Sequence, residues 1–296
     1  MFDFVHSINK GNPLTRSSSL KKYIKTIPFA ESSYKKINRF LNIFYRKEQI
    51  AMFHMGRCGS TVLGNMLNAH SKVFWDSEIF VKHMKYMQSE KSKEKKGFVE
   101  RTIEWSCHRK VSRIYGFETK YLSQQHLSHK FINMDLEDYI TLLLKLGFSK
   151  FIVLHRKNYL KRAISVQAGR QTKKWHSEQD ATAPEKITID INSFTTEDEI
   201  RQEHILDLFR CADESFNRLK KLLSHNDTLF LTYEDDILED PRVAYKKVCD
   251  FLGVVDEAPK IELHRTNPFR YEDMVINFEK VKAVLKDTNY SWMLDD

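Results

Sequence analysis

The chain is short of the residues that punctuate or staple a fold. Its 296 residues include nine glycines, six prolines and four cysteines. So few glycines and prolines exclude collagen-like and low-complexity architectures. Cys58, Cys107, Cys211 and Cys249 are widely separated, with no CxxC and no Cys/His spacing suited to zinc. They read as reduced, mostly structural thiols, which predicts a cytoplasmic protein. Long apolar runs are missing as well. The N-terminus carries no apolar stretch of signal-peptide length. The most apolar segment, Ile140 to Phe148, is interrupted by Lys145 and is too short to cross a bilayer. Acids are outnumbered, 40 Asp and Glu against 48 Lys and Arg, for a formal charge of +8. Such a balance suits plain solubility or an anionic partner: nucleic acid, a membrane surface or a charged small molecule.

What is present fits a soluble globular protein, with 41% hydrophobic and 30% charged residues. The length allows one large α/β domain or two small ones. Residues 1–48 are rich in Lys, Arg and Ser. Ile37, Phe40, Leu41 and Phe44 recur at helical spacing, so this segment is expected to be a basic, partly helical arm packing on the main domain. From residue 50 the pattern is βα alternation. Apolar runs predict strands at 50–54, 72–75, 113–118, 150–155 and 227–233. Helical periodicity marks 61–70, 78–89, 135–147, 158–170, 199–223, 241–252 and 272–286, with Asp240-Pro241 as a helix start. The run SEKSKEKKG, 89–97, reads as a solvated loop or helix end. Residues 171–198 lack periodicity and predict a long loop, a candidate lid or acceptor loop. The expected fold is a single P-loop-like α/β domain over 49–296, with a mostly parallel central sheet flanked by helices.

The chemistry starts at HMGRCGST, residues 54–61, between an apolar run and a helical one. Strand, glycine turn and helix make a phosphate cradle, yet the lysine of the usual GxxxxGK[ST] loop is absent. Gly56 and Gly59 allow a tight turn and close approach of the backbone. The N–H groups of Gly59, Ser60 and Thr61 open the helix, their hydroxyls add donors, and Arg57 adds a forked cation. The competing reading is a plain strand-to-helix turn with a capping serine. A second element, FIVLHRKNYLKRAIS (151–165), places Arg156 at the carboxyl end of another strand and Ser165 in the next helix. Ligands of open α/β sheets sit at the carboxyl ends of strands, so both elements should face one crevice. Two anion sites in one cleft suggest a nucleotide with phosphates at both ends.

These two stretches resemble the paired signatures of the sulfotransferases that use 3′-phosphoadenosine 5′-phosphosulfate (PAPS). A third stretch, LFLTYEDDILEDPRVAYKKVCDFLGV (229–254), is similar to a strand–YED–helix segment of that family. QTKKWH (171–176) and YEDMVINFEKVKAVLKDTNYSWML (271–294) look most like its bacterial carbohydrate branch, the trehalose and nodulation-factor enzymes. The resemblance covers residues 50–296. It implies that Arg57, Cys58, Gly59, Ser60, Thr61 and Val62 hold the 5′-phosphosulfate. It further implies that Arg156 and Ser165 hold the 3′-phosphate and that Tyr233 lies near the adenine. Many members have serine where this chain has Cys58, and the cytosolic animal enzymes have lysine in place of Arg57.

The implied activity is sulfuryl transfer from PAPS to a hydroxyl of a carbohydrate or small natural product, leaving the 3′,5′-bisphosphate (PAP). Arg57 would stabilise the leaving phosphate and Lys120 would reach the sulfonate or bridging oxygen. Glu78, in FWDSEIF, is the expected base, with Asp76 as the alternate and His126 and His176 next. For Lys120 the plainer reading is a surface lysine, and for Glu78 a first-turn acid favoured by the helix dipole. A carboxylate can serve an alcohol if burial raises its pKa or if it acts late. Trp175 and His176 are candidate acceptor contacts. No metal is expected, because the cations take the part of magnesium and no convincing carboxylate cluster appears. Two rival readings remain: a phosphate-loop kinase of a small metabolite, and a non-enzymatic basic module for nucleic acid or a membrane surface.

Overall fold

Five apolar runs become five strands: β1 (Gln49–His54), β2 (Val73–Trp75), β3 (Ile114–Lys120), β4 (Lys150–His155) and β5 (Asp227–Thr232). The structure, a computed structural model, describes residues 48–81, 95–107, 113–128, 131–177, 182–194, 203–264, 266 and 268–295. The arm predicted over 1–48 lies outside them except for Glu48. So do residues 82–89 of the helix predicted at 78–89. The strands form one sheet in the order β2-β3-β1-β4-β5, with every pairing parallel. A parallel sheet is covered on both faces, so its inner strands are apolar throughout instead of alternating. β1 and β3 are accordingly buried at every position, whereas edge strand β5 leaves Phe230 exposed.

The helices are α1 (Ser60–Ala69), α2 (Lys95–Cys107), α3 (Leu136–Lys145), α4 (Tyr159–Thr172), α5 (Ile205–Leu222), α6 (Tyr233–Asp236), α7 (Arg242–Leu252), α8 (Tyr271–Met274) and α9 (Phe278–Leu285). A 3-10 turn, Ser291–Leu294, follows. Two differences from the sequence expectation have local causes. α2 was not among the expected helices: it takes in the end of the charged run read as a solvated loop or helix end, and Val99 and Ile103 anchor it in the core. The helix predicted over 272–286 breaks at Val275–Asn277. Here Val275 bridges to Ile187, and the Asn277 amide exchanges two hydrogen bonds with the backbone of Ile189, at 3.0 and 2.8 Å. Those contacts pin the described part of the 171–198 loop, whose Ile187, Ile189 and Phe194 are buried. No described helix is long and apolar enough to cross a membrane.

The topology decides where a ligand can enter. From β1 the chain leads to β2, on the β3 side of the sheet, while from β4 it leads to β5 on the other side. The strand order therefore reverses between β1 and β4, and a crevice opens outside their carboxyl ends. The Met55–Gly59 loop and the Arg156–Asn158 turn both leave the sheet there. Register adds a third element, since His54 pairs with Lys120 at the end of β3.

Candidate active site

The glycine loop is built to expose amide groups. Gly56, Arg57 and Gly59 have φ of 77°, 55° and 82°, in the left-handed region that glycine enters without strain. At Gly59 a Cβ would also lie 2.5 Å from Ile237 Cγ2. Gly59 is the N-cap of α1 and offers no side-chain cap, and the first turn carries no acid. The positive end of the helix is thus not compensated by a capping side chain. The loop carbonyls are tied down from behind. Arg162 donates from Nε and NH2 to the Met55 carbonyl at 3.2 and 2.9 Å, and Gln125 Nε2 donates to it at 3.2 Å. Arg162 Nε also reaches the Gly56 carbonyl at 3.4 Å. The amide of the braced Met55–Gly56 peptide is itself used inside the protein, donating to His54 Nδ1 at 3.3 Å, so the bracing fixes the loop backbone ahead of Gly59.

The β4 junction supplies the guanidinium groups. Arg156 is buried, donates from NH1 to the Arg57 carbonyl at 2.8 Å, and stacks 4.3 Å above the Tyr233 ring. Its Nε is buried with no hydrogen-bond partner. Burial lowers its pKa, opposed by Tyr233 and Glu234. Ser165 is joined to Arg57 and not directly to Arg156, because Arg57 Nε donates to Ser165 Oγ at 2.9 Å. Arg57 also donates to the Trp175 carbonyl at 2.6 Å and to Thr266 Oγ1 at 3.1 Å. Its guanidinium thus reaches the Ser165 end of the cleft. Trp175 is held in place by packing: a Cβ on Gly169 would come within 2.6 Å of its ring, and the Arg57 guanidinium lies 5.6 Å from the ring centre. His176 is exposed. Thr61 and Val62 are half-buried on the first turn of α1. Cys58 is buried, and burial pushes its thiol up to about 11, so it is no nucleophile near neutral pH.

A carboxylate cluster occupies the third corner. Glu78 Oε2 lies 3.2 Å from His126 Nε2 and 3.7 Å from Lys120 Nζ, and Glu78 Oε1 lies 3.6 Å from His54 Nε2. His126 Nδ1 accepts from the Lys120 amide at 3.1 Å, and His54 Nδ1 accepts from the Gly56 amide at 3.3 Å. In the neutral rings the hydrogens then sit on both Nε2 atoms, facing Glu78. Burial alone would raise the Glu78 carboxyl. The His126 hydrogen bond and the Lys120 charge, joined by the histidines once they are protonated in acid, outweigh it and hold the group well below the usual range. Burial pulls His54 down to about 3, so this ring is neutral at pH 7. Asp76 is buried and accepts from the Tyr115 hydroxyl at 3.3 Å.

The sequence anticipated Glu78, Lys120 and His126 singly. It missed His54 and Glu118, which β1 and β3 bring to the same place, and it missed the loop braces Arg162 and Gln125. One signal was available: a histidine and an acid within otherwise apolar strands. The expectation of no carboxylate cluster is corrected, because one ligand atom each of His54, Glu78 and Glu118 lie within 4.8 Å of one another. Their chemistry argues against a metal there. The Gly56 amide occupies His54 Nδ1, which leaves hydrogen and no lone pair on Nε2, and Lys120 already supplies a cation to Glu78.

No protein-family model matches the chain, and no curated protein matches it. Among solved structures it is similar to a sulfotransferase from Alicyclobacillus acidocaldarius, at 13% identity over 84% of this chain and 94% of that one, with a TM-score of 0.47. It is also similar to the sulfotransferase domain of the Synechococcus PCC 7002 olefin synthase, at 15% identity over 70% of this chain and 74% of that one, with a TM-score of 0.39.

Proposed function

We propose that the chain transfers a sulfuryl group from PAPS to a hydroxyl of a carbohydrate or small natural product. The observation that carries this reading is the pairing of an uncapped helix start with a buried arginine across one strand-order reversal. The loop amides would take the 5′-phosphosulfate. Arg156, through its unpartnered Nε, and the Arg57–Ser165 pair would take the 3′-phosphate. In the transfer, the acceptor oxygen attacks sulfur in line and the bond from sulfur to the 5′-phosphate oxygen breaks. The acceptor proton passes to Glu78 and PAP leaves. Three donors hold Glu78 ionised, so it is a weak base at rest. It takes the proton late, as the forming O–S bond acidifies the hydroxyl. Lys120, beside Glu78, offsets charge developing on the transferred group. The similarity of 171–176 and 271–294 to sugar-sulfating enzymes favours a carbohydrate acceptor.

The test is transfer of label from PAPS to a panel of sugars and small alcohols without added magnesium, with product mass analysis. Wild type is expected to turn over. Glu78→Gln should lose about 100- to 10,000-fold in turnover while keeping its affinity for PAP. Magnesium-dependent ATP turnover with no transfer from PAPS would replace this reading with the kinase. Salt-sensitive nucleic-acid binding without nucleotide affinity would replace it with the basic module.

A further inference from the structure

The turn that carries Arg156 is held by residues far along the chain. Two positions after Arg156, Asn158 is buried and uses its side chain in three directions. Its Oδ1 accepts from the Lys161 amide at 2.8 Å, which caps α4. A backbone N–H can only donate, so this contact fixes the amide's orientation and turns Nδ2 the other way. Nδ2 donates to the Tyr271 hydroxyl at 3.0 Å and to the Met293 carbonyl at 3.2 Å, groups 113 and 135 residues further on. The Tyr271 hydroxyl donates to the same carbonyl at 2.9 Å. Asn158, Tyr271 and Met293 thus close a ring of hydrogen bonds, and all three residues are buried. A second tie runs beside it: Tyr159 and Tyr290 donate to the two oxygens of Asp213, at 2.7 and 2.8 Å.

The cap alone does not call for asparagine, since serine or aspartate caps a helix as well. The ring does. An amide offers one oxygen to the helix and two hydrogens to Tyr271 and Met293, whereas an ionised aspartate has no hydrogen to give and a serine is too short to reach both. The tie to Glu234 is of another kind. Glu234 takes the amides of Lys157 and Asn158 at a half-exposed edge, where water can stand in for it. In the buried ring a lost partner leaves polar atoms unpaired, and the turn must shift to satisfy them. Such a shift reaches the ligand. The Arg156 guanidinium rests on the Tyr233 ring and the Arg57 carbonyl and keeps Nε without a partner. Where that nitrogen points depends on where the backbone beneath it starts.

We propose that Asn158 and Tyr271 are positioning residues that fix the turn carrying Arg156, so that the 3-10 turn Ser291–Leu294 takes part in selecting a 3′-phosphorylated nucleotide over one without that phosphate. This rests on the sulfuryl-transfer reading in one respect, that Arg156 takes the 3′-phosphate.

The experiment is calorimetric titration of the full chain with PAP and, separately, with adenosine 5′-monophosphate, which lacks only the 3′-phosphate. The ratio of the two affinities reads the grip of Arg156 and cancels changes common to both ligands. Wild type should prefer PAP by about ten- to a hundredfold. Asn158→Ser keeps a capping oxygen for α4 and removes both donors to the ring. Tyr271→Phe keeps the aromatic ring and removes the hydroxyl. Each should cut the preference by about three- to tenfold and leave affinity for the monophosphate within about twofold. A role in stability alone would lower the melting temperature and leave the ratio untouched. A wild-type preference that survives in both variants overturns the proposal and leaves the donor reading standing. A wild type that binds the monophosphate as tightly as PAP, or binds neither, overturns both. A second measurement needs no variant. Coupling is reciprocal, so a phosphate held by Arg156 must tighten the ring that positions Arg156. Amide hydrogen exchange over residues 290–294 of the wild type should slow by about threefold or more under saturating PAP relative to saturating monophosphate. Equal exchange in the two complexes overturns the proposal.

Discussion

α1 and α4 start on either side of the same strand-order reversal and are finished in opposite ways. Each follows a central strand that ends in a buried histidine held neutral: His54 is pulled down to about 3 and His155 to about 4, both mainly by burial. α4 is closed. Asn158 Oδ1 accepts from the Lys161 amide at 2.8 Å, and Glu234 accepts from the amides of Lys157 and Asn158 at 2.9 and 3.0 Å. α1 is open, with Gly59 at its cap and no acid in its first turn. Both helices have the same positive end. One spends it on the protein's own oxygens, and the other leaves it without a side-chain cap, beside Arg156. In the proposed reading, the anion site is made as much by withholding a cap as by adding an arginine.

The strongest way to break this contrast is to close α1. Gly59→Asp would bring a capping carboxylate to the open end and a Cβ against Ile237, 2.5 Å away, in a left-handed position. Affinity for PAP should fall by about a thousandfold, read by calorimetry on protein whose circular dichroism is unchanged. Next comes Arg156→Ala. A buried charge-assisted grip is worth about 1.5–3 kcal/mol, so PAP affinity should drop roughly ten- to a hundredfold. Unchanged affinity would remove Arg156 from the site.

The shared histidines give a stability test of about the same size. Their folded pKa values lie below 6.5, so from about pH 4 to 6.5 the unfolded chain binds more protons and stability rises with pH. From pH 5 to 6.5 each contributes about 2 kcal/mol. Glu118, raised to about 8, works in the opposite sense between pH 4.5 and 8, leaving a net rise of about 2 kcal/mol by urea denaturation. In Glu118→Gln the rise should grow to about 4 kcal/mol, and a flat profile would mean that the histidines are not held neutral.

Two smaller effects sharpen the contrast. Glu234→Ala opens α4 and should lower stability by about 1 kcal/mol while PAP affinity stays the same, measured by melting and calorimetry in parallel. Cys58→Ser should leave PAP affinity within about twofold, because the loop acts through its backbone at this position, while the buried hydroxyl costs about 1–3 kcal/mol of stability. A large loss of PAP binding in Cys58→Ser would show that the thiol takes part.

The strands were legible to within two residues, because a parallel strand buried on both faces leaves an unbroken apolar run. α2 was partly hidden, since Lys95–Gly97 continue the charged run SEKSKEKKG and only the later Val99 and Ile103 announce a buried face. The break before α9 was illegible: apolar spacing continues through Val275 and Ile276, and only the Asn277 side chain bonding to Ile189 interrupts it. In the site, Gly56, Gly59, Arg156 and Ser165 could be found from two short stretches. The partner of Ser165 could not, because Arg57 reaches it only where the loop meets α4.

By itself the sequence determined what depends on neighbours along the chain: strand positions, the glycine turn and the arginine at the end of β4, while the structure showed that Gly59 leaves the helix start without a side-chain cap. Tertiary structure decided which groups share space. Parallel register set His54 beside Lys120 and put Glu118 under the loop, and the end of β2 delivered Glu78 to both. Charge state followed from that assembly. A carboxyl in sequence is an ordinary acid, but burial beside another carboxylate keeps Glu118 protonated, and three converging donors keep Glu78 ionised.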